Sequence, residues 1–309
     1  MAAAADRIAP FVDRTPVMRS AAFDARVGRA VWFKCENLQK GGSFKLRGAT
    51  NAVLSLEGRE RVVAVATHSS GNHGMALALA ARTHGLAATV VAPRDSARPK
   101  LVAIERAGAR IVLCDPGLAA REAALAELLR SEPAHVVHPF DDRDVIAGQG
   151  TAALELLGEV PDLDTVSVPV GGGGLIGGTA LAVKEIAPRC RVVGAEPEQA
   201  DDAARSFRSG VRVGAGTPTT IADGLRGSIG VLNFGLLQSL VDDVVTVPER
   251  AIVAAMRIVL EDLKLLIEPS SAVPVAALLA GAMGGRRVGI VLSGGNVDLS
   301  ACAFLRAEG

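Results

Sequence analysis

The sequence of 309 residues predicts an α/β protein of two closely joined lobes, built on mainly parallel twisted sheets flanked by helices. Short β-branched runs alternate with longer Ala- and Leu-rich segments, the pattern of right-handed βαβ crossovers. Apolar residues make up 49% of the chain but aromatic ones only 3%, and Tyr is absent. Such a core of Ala, Val, Leu and Ile suits parallel sheets covered on both faces. The length also exceeds what one hydrophobic core usually supports.

Taken in order, a strand reaching Lys34 leads through the turn Lys40-Gly41-Gly42 into a helix that begins around Lys45. Val62-Val63-Ala64-Val65-Ala66 reads as a strand and Asn72 to His84 as a helix. Thr89-Val90-Val91 and Ile111-Val112-Leu113 read as strands, each followed by a helical segment. Val136-Val137-His138, Thr165 to Val170, Arg191 to Ala195 and Val288 to Leu292 complete the strand set. The smaller lobe is expected over residues 64–141, and the larger over 1–63 together with 142–309.

Composition removes several classes of function. The 33 basic residues balance 33 acidic ones without long runs of either sign. Nucleic-acid and membrane-surface partners, which need a positive footprint, are therefore not expected. Cys35, Cys114, Cys190 and Cys302 lie far apart, without a CxxC pair, and read as free thiols. Charge at Asp6 and Arg7 interrupts the N-terminus before any apolar signal region, and no long uncharged apolar stretch follows. A soluble cytoplasmic protein is expected, and as a homodimer.

In parallel sheets, ligands bind beyond the carboxyl ends of strands where the strand order reverses. The turns after the predicted strands are therefore the places to search. They read Thr67-His68-Ser69-Ser70-Gly71-Asn72-His73, Gly171-Gly172-Gly173-Gly174, Glu196-Pro197 and Ser293-Gly294-Gly295-Asn296. All but the acidic third are small, Gly-rich or hydroxyl-bearing, which lets a ligand approach the backbone.

The glycine loop precedes a helix beginning near Leu175, so its N–H groups and the helix dipole make an anion site. Gly172 to Gly177 also satisfies GxGxxG, with Glu196 about 20 residues later where a ribose-binding acid would stand. Alone, that would suggest an NAD-linked oxidoreductase. Two features oppose it: the fingerprint comes after several βα units, and the other polar turns have no task in a dinucleotide site. A catalytically silent amino-acid-binding protein is the other alternative. Lys45 lies in the first turn of its helix beside Phe44 and Leu46, where the dipole and desolvation ease loss of its proton, as an amine nucleophile needs.

Ser43-Phe44-Lys45, Ser69-Ser70-Gly71-Asn72-His73-Gly74, Gly171 to Gly174 and Ser293-Gly294-Gly295-Asn296 occur in this order at wide separations. Together they resemble the motif set of the fold-type II pyridoxal-phosphate enzymes (tryptophan synthase β-like), specifically the serine racemase and serine/threonine dehydratase family. Ile146 to Thr151, Thr220 to Gly224 and Leu265 to Ser270 resemble it too, so the likeness covers most of residues 10–305.

The resemblance implies that Lys45 carries pyridoxal 5'-phosphate as a Schiff base and moves the substrate's α-proton. It implies that Asn72 hydrogen-bonds the cofactor's 3'-oxygen, that Gly171, Gly172, Gly173 and Gly174 hold the phosphate, and that Ser293 meets the pyridine nitrogen. A hydroxyl there makes the ring a weaker electron sink than a carboxylate would, favouring β-elimination or rapid reprotonation. Ser69, Ser70, Asn72 and His73 would receive the substrate carboxylate at a helix start. In serine racemases a serine matching Ser70 sits on the cofactor face opposite the lysine, and Lys45 plus Ser70 would supply two proton donors. The other reading of Ser70 is a helix cap or carboxylate ligand.

The resemblance further implies a divalent cation, Mg2+ or Ca2+, on Glu196, the Ala200 carbonyl and Asp202, an all-oxygen set. Phe140 replaces a polar residue of the animal racemases, Gly227 replaces their serine, and Ala107 stands in place of their ATP-stacking aromatic. The expected reaction is deamination of a small 3-hydroxy amino acid (serine, threonine or 3-hydroxyaspartate) by β-elimination of water, with or without racemization. A primarily racemizing enzyme is the nearest alternative.

Overall fold

A computed structural model describes residues 1–56 and 62–299. In chain order its strands are β1 (Val17–Met18), β2 (Ala30–Cys35), β3 (Ala64–His68), β4 (Ala87–Pro93) and β5 (Arg110–Cys114). They continue with β6 (His135–Val136), β7 (Thr165–Pro169), β8 (Arg191–Pro197), β9 (Asp243–Val247) and β10 (Arg287–Leu292). The larger sheet runs β1-β2-β10-β7-β8-β9, the smaller β5-β4-β3-β6. Every pairing is parallel except that of β1 with β2. The mainly parallel α/β class read from the sequence is the one observed.

The helices are α1 (Ala2–Ile8), α2 (Ala21–Val27), α3 (Lys45–Leu54), α4 (Asn72–Thr83), α5 (Arg98–Ala107) and α6 (Leu118–Ser131). After them come α7 (Arg143–Glu159), α8 (Gly174–Ile186), α9 (Asp202–Ser209), α10 (Val231–Leu240), α11 (Glu249–Leu263) and α12 (Pro269–Leu279). β7 is buried throughout, as expected of a central parallel strand. The helices α3 and α8 are buried almost all round, because α7 packs against both. Gly148 permits this: a Cβ there would stand 2.5 Å from the Arg47 carbonyl oxygen.

Some boundaries move. Pairing with β4, not β-branching, sets β3, which starts at Ala64 and runs to His68. Val62 and Val63 therefore precede the strand, and Val63 is 69% exposed. β6 ends at Val136 because its partner β3 pairs with only His135 and Val136. Glu196 and Pro197, expected in a turn, belong to β8, since β9 pairs with them through Thr246 and Val247.

The two sheets place the site. In the larger one, β8 and β9 extend outward from β7 while β10 returns to its other side, so the order reverses between β7 and β10. In the smaller one it reverses between β3 and β6. The loops leaving these strands are those with unusual composition: Gly171–Gly173, Ser293–Asn296, Ser69–Gly71 and His138–Phe140. Ligands in open α/β sheets bind at such points.

A buried ionic network anchors α3. Arg47 donates to both oxygens of Glu36, each at 2.8 Å, and to both of Glu155, at 2.7 and 2.8 Å. Lys34, fully buried, donates to Glu155 and to the Thr15 carbonyl, each at 2.5 Å. Burial pulls the Arg47 guanidinium down, but the two carboxylates outweigh it and hold it firmly charged. The network fixes β2, α3 and α7 to one another, and Lys45 begins α3 two residues before Arg47.

Candidate active site

Lys45 opens α3, and its Nζ donates to the Pro139 carbonyl at 2.7 Å. Burial pushes its ammonium down to about 8, with the Glu268 carboxylate pulling the other way. Near neutral pH an appreciable share of Lys45 is thus the free amine, the nucleophilic form. The loop after β10 lies beside this helix start: Ser43 forms a bridge with Gly294, and the Phe44 N–H donates to the Ser293 carbonyl at 3.0 Å. The Ser293 side chain is buried, and among the described residues its hydroxyl has no hydrogen-bond partner.

The glycine loop reaches the same place through Phe140. The Phe140 ring stands where a Cβ of Gly172 would be, at 2.2 Å, and Pro139 next to it holds Lys45. Gly173 has a φ of +89°, and a Cβ there would stand 2.3 Å from Ile229 Cδ1. Only glycine fits on both counts. The Gly172 carbonyl is turned away, accepting from Gly230 N–H at 3.1 Å and from Asn233 Nδ2 at 2.9 Å. Among the described residues, the N–H groups of buried Gly171, Gly172 and Gly173 find no acceptor. Unpaired buried N–H groups at a helix start are the donors that a phosphate requires.

The loop after β3 presents a third side. α4 is capped by Gly71, without a side-chain cap, so the capping role considered for Ser70 does not occur. Among the described residues Ser70 Oγ has no hydrogen-bond partner, whereas Ser69 Oγ accepts from Gly71 N–H at 3.3 Å. The His73 ring turns inward, its Nε2 3.1 Å from the Val137 carbonyl. Burial, then the Lys45 charge, lower His73 well below its usual range, so the ring is neutral. Its ring Nδ1 is buried without a partner among the described residues, and its backbone N–H lies at the start of α4. Asn72 joins this loop to the others: its Nδ2 lies 3.0 Å from each Glu268 oxygen, and its Oδ1 accepts from Asn296 Nδ2 at 2.9 Å. Glu268 belongs to a motif noted in the sequence, but no role for it was legible there.

The acidic segment lies behind the glycine loop. Asp202 Oδ2 accepts from Ile229 N–H at 2.9 Å, and Ile229 is the residue packed on Gly173. Asp202 Oδ1 is buried without a partner, and burial raises this carboxyl to about 6. Glu196 accepts from the N–H groups of Ala203 and Ala204 at 3.2 and 2.7 Å; burial, then Asp202, push it well above the usual carboxylate range. Ala200 is buried beside them, closing a short 3-10 turn. Among the described residues no three metal-ligating side chains cluster, so a cation here would need backbone oxygen. Glu196 is fully buried and turned toward α9, which removes it from the ribose-binding role of a dinucleotide site.

Cys35, Cys114 and Cys190 are buried free thiols, and Cys302 lies outside the described residues. No described helix is long and apolar enough to cross a membrane.

Known proteins resemble this chain over most of its length. The family model for pyridoxal-phosphate dependent enzymes matches residues 8–294. Serine racemase of Arabidopsis thaliana is 45% identical over 303 residues, covering 96% of this chain and 92% of that protein. The beta-hydroxyaspartate dehydratase of Paracoccus denitrificans (strain Pd 1222) is 44% identical over 301 residues, covering 97% and 96%. Among solved structures, maize serine racemase superposes with a TM-score of 0.94 at 43% identity, covering 97% of this chain and 93% of that one.

Proposed function

The chain belongs to the pyridoxal-phosphate dependent enzymes, and on that premise we propose that it deaminates a small 3-hydroxy amino acid by β-elimination of water. Serine, threonine and 3-hydroxyaspartate are the substrates in question, and the products are a 2-keto acid and ammonia. The observation that carries the reading is the buried amine of Lys45, easily deprotonated, where the four strand-end loops converge. On this reading the cofactor sits between the lobe of residues 64–141 and the rest of the chain.

Bound pyridoxal phosphate supplies an electron sink for the Cα–H bond. The residues do the rest. The free N–H groups of Gly171 to Gly173 hold the phosphate, the Ser293 hydroxyl meets the ring nitrogen, and Asn72 Nδ2 retains one N–H for the ring oxygen. The N–H groups of Asn72 and His73 at the start of α4, with Ser69 and Ser70 beside them, take the substrate carboxylate. Lys45 Nζ takes the α-proton and hands it to the departing β-hydroxyl, which leaves as water.

Ser70 favours a second activity, racemization. Its hydroxyl serves neither as cap nor as partner to another described residue, which leaves it free to hold a proton on the opposite face. A panel of L- and D-serine, L-threonine and 3-hydroxyaspartate, scored for keto acid and for enantiomer exchange, tests both activities. Keto acid from at least one substrate is expected. No release from any of them would refute the elimination reading.

We also propose Mg2+ or Ca2+ on Glu196, the Ala200 carbonyl and Asp202. Its support is two buried carboxyl groups raised by burial and a buried Asp202 Oδ1 without a partner. A hard cation satisfies both. Because a ligand that binds only the folded state stabilises by mass action, chelation should lower the melting temperature and added cation should restore it. Asp202→Ala should lose that response. If chelation leaves both stability and activity unchanged, or Asp202→Ala responds as the parent does, the site is refuted.

A further inference from the structure

Glu268 is a buried carboxylate that the proposed chemistry leaves unused. It caps α12, and its two oxygens each lie 3.0 Å from Asn72 Nδ2. Its own N–H donates to the Gly294 carbonyl at 3.0 Å, and a Cβ on Gly294 would stand 2.8 Å from Glu268 Oε1. One side chain therefore joins the first residue of α4 to the loop that carries Ser293. The far end of the amide is held as well: Asn72 Oδ1 accepts from Asn296 Nδ2, which also donates to the Gly41 carbonyl at 2.8 Å.

We infer that Glu268 is a positioning residue whose protonation state sets the orientation of the Asn72 carboxamide, and through it the hydrogen bond offered to the cofactor's ring oxygen. The inference rests on the placement of the cofactor against Lys45 and Asn72 given above.

The reasoning is one of donors and acceptors. An ionised carboxylate only accepts, so it selects the Nδ2 end of Asn72, while Asn296 selects the Oδ1 end. Nδ2 carries two hydrogens, and one satisfies Glu268; the other remains for the ligand. Protonated, Glu268 keeps an accepting oxygen but gains a donor O–H that suits Oδ1, so its own selection of the Nδ2 end is lost and only the weaker one set by Asn296 remains. The charged groups acting on Glu268 are Asp223 from the 3-10 turn before Leu225, Lys100 from α5 and Lys45 from α3, and the Asn296 N–H bonds to it as well. Lys100 and Asp223 form an ion pair, so their effects on Glu268 oppose each other. Burial, against the hydrogen bond from Asn72, brings the Glu268 carboxyl up to about 7, within the range where an enzyme works.

The test is the absorbance of the loaded protein between about pH 5 and about pH 9, read as the balance between the chromophore's absorbing forms. A hydrogen-bond donor at the ring oxygen biases that balance. The parent should show one step with its midpoint within about one unit of pH 7. Glu268→Gln, neutral and of the same shape, should show no such step. Asn72→Ala, which cuts the transmission, should lose it too. A Glu268→Gln protein that titrates like the parent overturns the inference, as does a parent whose bound chromophore is flat across the range. A parent that binds no chromophore overturns the cofactor reading along with it. Should Glu268→Gln not load, Glu268→Asp retains a carboxylate withdrawn by one methylene and should move the midpoint; the parent's midpoint and amplitude in that variant overturn the inference.

Discussion

Lys45→Ala should abolish the borohydride-trapped cofactor adduct and lower turnover by at least about 10²–10⁴-fold, the contribution of one positioned acid or base. The loss extends further if Lys45 also anchors the cofactor covalently. No nearby group replaces it: His73 is held neutral and bonded to Val137, and His138 Nδ1 accepts from the Asp141 N–H at 2.9 Å. A trapped adduct mapped by mass spectrometry to any other lysine would refute the assignment. The pH dependence follows from burial. With Lys45 titrating at about 8, the capture of added cofactor by cofactor-free protein should rise with pH through that value and then level off. An exposed lysine would still be gaining free amine near its usual value, about 10.4. For stability the sign is fixed by linkage. The folded protein releases the Lys45 proton at about 8, below the usual lysine value of 10.5. Between those values the unfolded chain binds more protons, so this residue makes stability rise with pH. Lys45→Ala should remove that slope from the melting curves.

Ser70→Ala should abolish interconversion of L- and D-serine while elimination from the L-substrate stays measurable. Lys45 can still take a proton from one face, but no donor remains on the other. Loss of a positioned acid should cost about 10²–10⁴-fold, well outside assay error. A carboxylate-binding Ser70 predicts a different result: both reactions weaken together, chiefly through a higher KM. A parent with no racemization at all would leave Ser70 as a substrate ligand and elimination as the sole activity. Measuring kcat and KM for both reactions in parent and variant separates these outcomes. The local structure makes the experiment clean, because Gly71 caps α4 and removal of the Ser70 hydroxyl takes away no described hydrogen bond.

The composition of short segments carried much of the candidate site. Ser43-Phe44-Lys45, the Ser69 to Gly74 run, the glycine loop and Ser293 to Asn296 are contiguous stretches with unusual residue types just beyond strands. β9 carries a β-branched signal in Val244, Val245 and Val247, and its pairing with β8 places Glu196 in a strand and not in a turn. The two-residue β1 offers no periodicity to read. The sequence also left the Ser70 cap and the Ser70 proton donor as equal possibilities, and only the backbone at Gly71 removed the first.

By itself the sequence determined the α/β class, the parallel sheets and the loops where chemistry belongs, because alternation of residue types and Gly-rich turns act over a few neighbouring residues. The tertiary structure decided what those loops do to one another. Asn72 meets Glu268 across 196 positions, Arg47 meets Glu155 across 108, and Phe140 lies on the glycine loop. The depressed titration of Lys45 and the raised one of Glu268 are likewise products of burial. Desolvation and hydrogen-bond partners depend on which distant segments exclude water from a group, and local sequence pattern contains no measure of that.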